Sequence, residues 1–134
     1  MANIDWDKTS KFTKAEQSPG FSLWQQFHAW QRKINTALKP LGLTQLQFSL
    51  LAVIGYLTKN SETVTQQQVA SFANIDRMLV SQVVRRLETD GLVVRKPHPS
   101  DKRARVLKLS RKGATKLKNS LPIVEATDAE FFEH

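Results

Sequence analysis

The chain contains no cysteine, only five glycines and five prolines, and no long apolar run. Without cysteine there is no disulfide framework, no thiolate metal site and no redox-sensing thiol. The composition suits a reducing cytosol, so a cytoplasmic protein is expected. No stretch approaches the ~18 apolar residues that span a bilayer, so no segment that crosses a membrane is expected. Residues 1–17 are polar and mixed in charge, with no apolar core of a signal peptide. The three histidines, His28, His98 and His134, are far apart and have no metal-ligand spacing. There is no HExxH, no Walker loop, no GxSxG and no dinucleotide fingerprint. No enzyme, no metal and no cofactor are therefore expected. Internal repeats and low-complexity segments are also missing.

What is present is one domain's length, 134 residues, enough for a single hydrophobic core. The net charge is +8, from 20 Lys and Arg against 12 Asp and Glu. The segment Asp76–Gly113 holds 11 cations and four acids and so carries +7 of that excess. A concentration of this kind points to an anionic partner, nucleic acid or an anionic membrane surface.

Residues 1–17 lack a periodic apolar pattern and read as an arm. Ser18-Pro19 is a helix start, a capping hydroxyl followed by proline at the first helical position. Trp24, Phe27, Ile34 and Leu38 then share a helical stripe, with Leu23, Trp30 and Ala37 beside it. So wide a face predicts burial against both the domain and a second subunit. Pro40 and Gly42 end the helix. Thr44 to Gln47 has capping-box spacing, and Leu46, Leu50, Val53, Ile54 and Leu57 follow at helical intervals. Thr65 to Gln68 repeats the box and opens a short helix with Val69, Phe72 and Ala73 inward. After the turn Asn74-Ile75, Asp76 caps another helix with Val80, Val83, Val84 and Leu87 inward, and Gly91 stops it. Strands are predicted over Leu92–Lys96 and Ala104–Leu109. In the second, Val106 falls on the face opposite Leu107 and Leu109. Ser110 caps a last helix with Ala114, Leu117 and Leu121, which Pro122 is expected to interrupt or kink. Val124, Ala126, Phe131 and Phe132 form a final apolar group before His134.

Two helices joined by a two-residue turn have the spacing of a helix-turn-helix, whose second helix enters the major groove. Residues 76–89 divide accordingly, with Arg77, Met78, Ser81, Gln82 and Arg85 outward. Gln pairs with adenine edges and Arg with guanine edges. Gln66 and Gln67, at the start of the short helix, join these as DNA-binding candidates. The loop Pro97–Arg103 is a hairpin tip with Lys102, Arg103 and Arg105 at its end, able to reach phosphates or a minor groove. Asp101, two residues from Arg103, is placed to orient its guanidinium by a charge-assisted hydrogen bond.

Several spaced motifs together resemble the MarR family of bacterial transcriptional regulators. They are Leu87-Glu88-x-x-Gly91-Leu92-Val93-x-Arg95, Asp101-Lys102-Arg103-Ala104 and Leu109-Ser110-x-x-Gly113, with Leu43-Thr44-x-x-Gln47 upstream. The resemblance runs from about Phe21 to Leu121. It implies a mainly α fold with a small β-hairpin: a winged helix-turn-helix flanked by N- and C-terminal dimerisation helices. The implied organisation is an arm over 1–17 and one domain over 18–134. Within that domain, 18–40 is a dimerisation helix, 44–110 the winged helix-turn-helix and 111–134 the C-terminal dimerisation region.

The resemblance further implies a homodimer on double-stranded DNA at a pseudopalindromic operator, acting as a repressor. Residues 76–89 would lie in the major groove, and the wing 97–103 would put Arg103 at the minor groove with Asp101 as its positioning partner. Lys102 and Arg105 would support the wing on the backbone. A small anionic or phenolic effector would weaken operator binding, with Trp24, His28 and Phe48 as candidate pocket residues. Core packing is the competing reading for those aromatics. The chain departs from the family pattern in three ways. Ser110 stands where Thr is usual, Lys102 replaces a frequent Arg fork, and 111–134 is short for the family's last helix. Without cysteine, the thiol-oxidation mode of the family's peroxide sensors is excluded. The alternative to a sequence-specific regulator is a non-specific architectural DNA-binding protein.

Overall fold

The computed structural model describes residues 1–133; His134, the last residue of the 111–134 region, lies outside them. The chain divides into two compact units, Met1–Lys33 and the remainder from Ile34.

In the first unit the expected arm has local order. A single helical turn, α1 (Trp6–Thr9), is closed by the Thr9 hydroxyl donating to the Asp5 carbonyl at 2.8 Å. A 3-10 turn follows over Ala15–Gln17, where Gln17 Oε1 accepts from the backbone N–H of Thr13 and of Lys14. Neither turn buries a residue, which is why no apolar periodicity announces them. Helix α2 (Pro19–Leu38) starts where Ser18-Pro19 predicts. The predicted stripe splits: Trp24 and Phe27 are exposed on this single chain, whereas Ile34 and Leu38 are fully buried in the second unit. The exposed part carries an aromatic ladder, Trp24 to His28 at 4.3 Å and Phe27 to Trp30 at 5.9 Å between ring centroids.

The second unit opens with the last turn of α2 and a 3-10 turn, Lys39–Leu41, closed by Gly42. Helix α3 (Gln45–Thr58) has its predicted capping box, with Thr44 Oγ1 accepting from Gln47 N–H at 3.1 Å and Gln47 Oε1 from Thr44 N–H at 3.0 Å. It is the central element, against which α4, α5, β2 and α6 all pack. Its buried side therefore differs from the predicted stripe. Phe48 and Leu51 join Leu50 and Ile54 in the core, while Leu46, Val53 and Leu57 are half-buried.

Helix α4 (Gln66–Ala73) is capped by Thr65 as predicted and buries Val69 and Ala70. Phe72, expected inward, is exposed instead. Ala70 takes the core side of this short helix, and Phe72 stacks on the exposed ring of Tyr56, 5.6 Å away. Asn74 then adopts the left-handed conformation, φ 58°. The Ile75 N–H donates to the Ala70 carbonyl and the Asn74 N–H to that of Ser71, a Schellman closure. Asp76 Oδ1 accepts from Met78 N–H at 3.1 Å and caps α5 (Arg77–Thr89), whose Val80, Val84 and Leu87 are fully buried. Val83 is only half-buried. Gly91, φ 76°, ends α5 in a second Schellman closure, with Leu92 N–H donating to the Leu87 carbonyl at 2.9 Å.

Strands β1 (Val93–Pro97) and β2 (Arg105–Leu109) pair antiparallel, Val93 opposite Leu109 and Pro97 opposite Arg105. Both begin one residue later than predicted. The Leu107 N–H donates to the Val64 carbonyl at 2.7 Å, and Thr65 bridges Val106. The hairpin is thus fastened to the segment entering α4. Val106 and Leu107, on opposite faces, are both buried, which accounts for the imperfect alternation.

Helix α6 (Arg111–Phe132) is capped by Ser110, whose Oγ accepts from Gly113 N–H at 2.9 Å. It runs through Pro122, so the proline does not interrupt it. Pro122 and Lys118, one turn before it, are both exposed, so the carbonyl left without its helical donor can be hydrated. A β-carbon on Gly113 would lie 1.9 Å from the Leu92 carbonyl oxygen, so the first turn of α6 requires glycine there. The result is mainly α with a two-stranded wing, a winged helix-turn-helix built on one core. Among the described residues no single helix is long and apolar enough to cross a membrane.

Candidate nucleic-acid interface

The start of α4, the start of α5 and the wing converge on an open cleft of about 650 Å³. Gln66, Gln67, Arg77, Asp101, Arg103 and Arg105 line it, with Thr65, Ala104 and Arg95. Six of the eleven predicted DNA-binding residues therefore meet at one place. The other five do not line the cleft: Met78, Gln82 and Arg85 are exposed further along or around α5, Ser81 is half-buried, and Lys102 is exposed at the wing tip.

The cations of this region fall into two groups. Arg86 pairs with Asp90 at 3.1 Å, Arg95 with Glu88 at 3.0 Å and Lys108 with Glu62 at 3.4 Å. Arg77, Arg85, Lys102 and Arg105 have no carboxylate partner among the described residues. Their positive charge is left uncompensated by the protein, as a polyanion-binding surface requires.

The wing tip is closed by contacts that spacing alone does not reveal. The His98 N–H donates to the Ala104 carbonyl at 3.3 Å, and the Ala104 N–H to that of Asp101 at 3.1 Å. His98 Nδ1 accepts from the backbone N–H of Ser100 at 3.1 Å and of Asp101 at 3.0 Å. Acceptance at Nδ1 requires that nitrogen to be unprotonated. The expected side-chain hydrogen bond from Arg103 to Asp101 is instead a loose ion pair at 3.9 Å. The short contact is between Asp101 Oδ1 and the Arg103 backbone N–H, 3.0 Å.

Arg95 was visible in the sequence only as part of a motif, yet it lies in the cleft. Its Nε donates to Glu88 Oε1 at 3.1 Å, its Nη2 lies 3.0 Å from the same oxygen in an ion pair, and its Nη1 donates to Gln66 Oε1 at 3.4 Å. The usable signal was the Glu88–Arg95 separation across a helix stop, which returns the chain beside the last turn of α5.

The effector candidates separate. Phe48 is 6% exposed and belongs to the core of the second unit. Trp24 and His28 lie on α2 in the first unit, where the His28 ring nitrogen Nδ1 is 2.8 Å from the Trp24 carbonyl oxygen. Among the described residues no group of three His, Cys, Asp or Glu could hold a metal ion.

Comparison with known proteins agrees with this geometry. A sequence model of the MarR family matches residues 41–104. The chain is 46% identical over 129 residues to the uncharacterized HTH-type transcriptional regulator YdcH of Bacillus subtilis (strain 168), covering 96% of this chain and 86% of that one. The chain belongs to the MarR family. Among solved structures, this MarR-family regulator is similar to a cysteine-to-serine mutant of MarR from E. coli complexed with operator DNA, with a TM-score of 0.79 and 25% identity. That match covers 92% of this chain and 86% of the other. CouR from Rhodococcus jostii RHA1, bound to p-coumaroyl-CoA, matches with a TM-score of 0.77 and 28% identity over 91% and 83% of the two chains. MosR from M. tuberculosis, in complex with DNA, matches with a TM-score of 0.74 and 26% identity over 84% and 79%. The chain is a DNA-binding transcriptional regulator with a winged helix-turn-helix, and its relatives are regulators rather than enzymes.

Proposed function

We propose that this regulator is a cytoplasmic repressor that binds a pseudopalindromic operator as a homodimer. Helix α5 enters the major groove through Arg77, Met78, Ser81, Gln82 and Arg85. The wing sets Arg103 at the minor groove, supported by Asp101, Lys102 and Arg105, while Gln66 and Gln67 contact the duplex beside α5. The observation that carries this reading is the cleft where α4, α5 and the wing converge, with unpaired cations in and around it. Phosphate contacts supply much of the affinity and α5 supplies specificity. The exposed aromatic face of α2, with Leu23, Trp24 and Phe27, supports a dimerisation role for 18–40, and 111–134 shares that role. The ligand-bound relative CouR supports release from DNA by a small-molecule effector.

The test is the solution mass together with selection from random duplexes at two salt concentrations. A dimer enriching a two-fold symmetric motif, with half-sites about one turn or ~10 bp apart, is the expected result. Salt-sensitive binding with no enriched motif would instead mean non-specific architectural binding.

A further inference from the structure

Gln66 occupies the first position of α4, half-buried at the wall of the cleft. A free glutamine amide reads adenine with both ends, oxygen accepting and nitrogen donating. Here the oxygen faces a guanidinium. Arginine has donors only, so the amide atom turned toward Arg95 Nη1 must be Oε1. Arg95 is itself held: its side chain is 28% exposed, and two of its nitrogens bind the same carboxylate oxygen of Glu88. Glu88 stands on the last turn of α5 and Arg95 on β1. One guanidinium thus joins the recognition helix, the wing and the start of α4.

We propose that Arg95 is a positioning residue that sets the hydrogen-bonding polarity of Gln66, presenting its NH2 group to DNA as a donor. The proposal rests on the reading that this cleft meets a duplex. A donor at that place fits a base-edge acceptor, guanine O6 or N7, thymine O4 or adenine N7 by a single bond, and gives up the bidentate pairing that favours adenine. Glu88 contributes by holding Arg95 in register.

The test uses the full chain and compares the parent with Gln66→Ala, Arg95→Met and the double variant in duplex selection at fixed salt. Gln66→Ala should reduce the preference for acceptor-bearing bases over cytosine at one operator position by about five-fold or more, the size of a single good base contact. Arg95→Met should move the same position toward adenine. The double variant should match Gln66→Ala at that position. Glu88→Ala keeps Arg95 but frees it. It should shift the same position in the same direction, which keeps the test sound if Arg95→Met folds poorly.

Two results overturn the proposal. One is an Arg95→Met variant that loses affinity equally for all sequences and lowers the salt slope by about one, the signature of a simple phosphate contact. The other is a Gln66→Ala variant with unaltered preference at every position. A parent chain that enriches no motif would overturn the regulator reading as well, so the two failures are distinguishable.

Discussion

Asp101 holds Arg103 through the backbone: its Oδ1 accepts from the Arg103 N–H at 3.0 Å, while the guanidinium Nε is 3.9 Å away. The Arg103 side chain is 95% exposed and free to adapt, while the wing turn beneath it is fixed. An exposed pair at that distance is worth little in itself. Asp101→Asn keeps an acceptor at the same place, and Asp101→Ala does not. Both remove the negative charge. Asn should therefore bind operator several-fold more tightly than Ala, as fluorescence anisotropy would measure. Equal affinities would mean that the turn does not depend on Oδ1.

His98 does for Ser100 and Asp101 what Asp101 does for Arg103. His98→Asn offers Oδ1 in place of Nδ1 and should preserve the loop. His98→Leu leaves the two backbone donors without that acceptor. Hydrogen exchange at the Ser100 and Asp101 amides should speed up in Leu and stay near the parent in Asn. Unchanged exchange in Leu would show that the ring does not close the tip.

Gly113 lies under the Leu92 carbonyl, which also accepts from Ser110 N–H at 3.0 Å. Gly113→Ala should push α6 away from the strand start and destabilise the fold by at least about 1–3 kcal/mol, the usual cost of overpacking. Urea unfolding reads this directly. A variant as stable as the parent would mean that the helix start shifts without penalty.

Asn74 takes a positive φ at the turn between α4 and α5. Asn74→Gly should be tolerated. Asn74→Val should cost about 1–2 kcal/mol of stability, since a Cβ-branched residue resists that conformation. Thermal melts of the two variants should separate accordingly.

The features legible from sequence were those determined within a few residues. Thr44, Thr65, Asp76 and Ser110 each cap the helix predicted for them, because a cap needs only its own first turn. Gly91 likewise stops α5 where predicted. The burial of Phe72 and the continuity of α6 through Pro122 were not legible because both outcomes are tertiary. Phe72 found Tyr56 rather than the core, and Pro122 sits on an exposed part of its helix. The interface was legible as a list of cations but not as a network. Which arginines are paired depends on Glu88 returning beside Arg95 and on Glu62 meeting Lys108, contacts made between different elements. The role of His98 depends on the loop folding back over it.

The bond from Leu107 to the Val64 carbonyl and the bridge from Thr65 to Val106 make the wing an extension of the chain that enters α4. On the proposed reading, the distance between the wing and the start of α4 is then a built-in length, set by backbone hydrogen bonds. A duplex whose grooves do not match that length has to bend or narrow to fit. The energy of doing so depends on the stiffness of base steps that no side chain touches. Part of the choice of binding site would thus be made by the elasticity of the DNA, measured against a ruler of backbone hydrogen bonds.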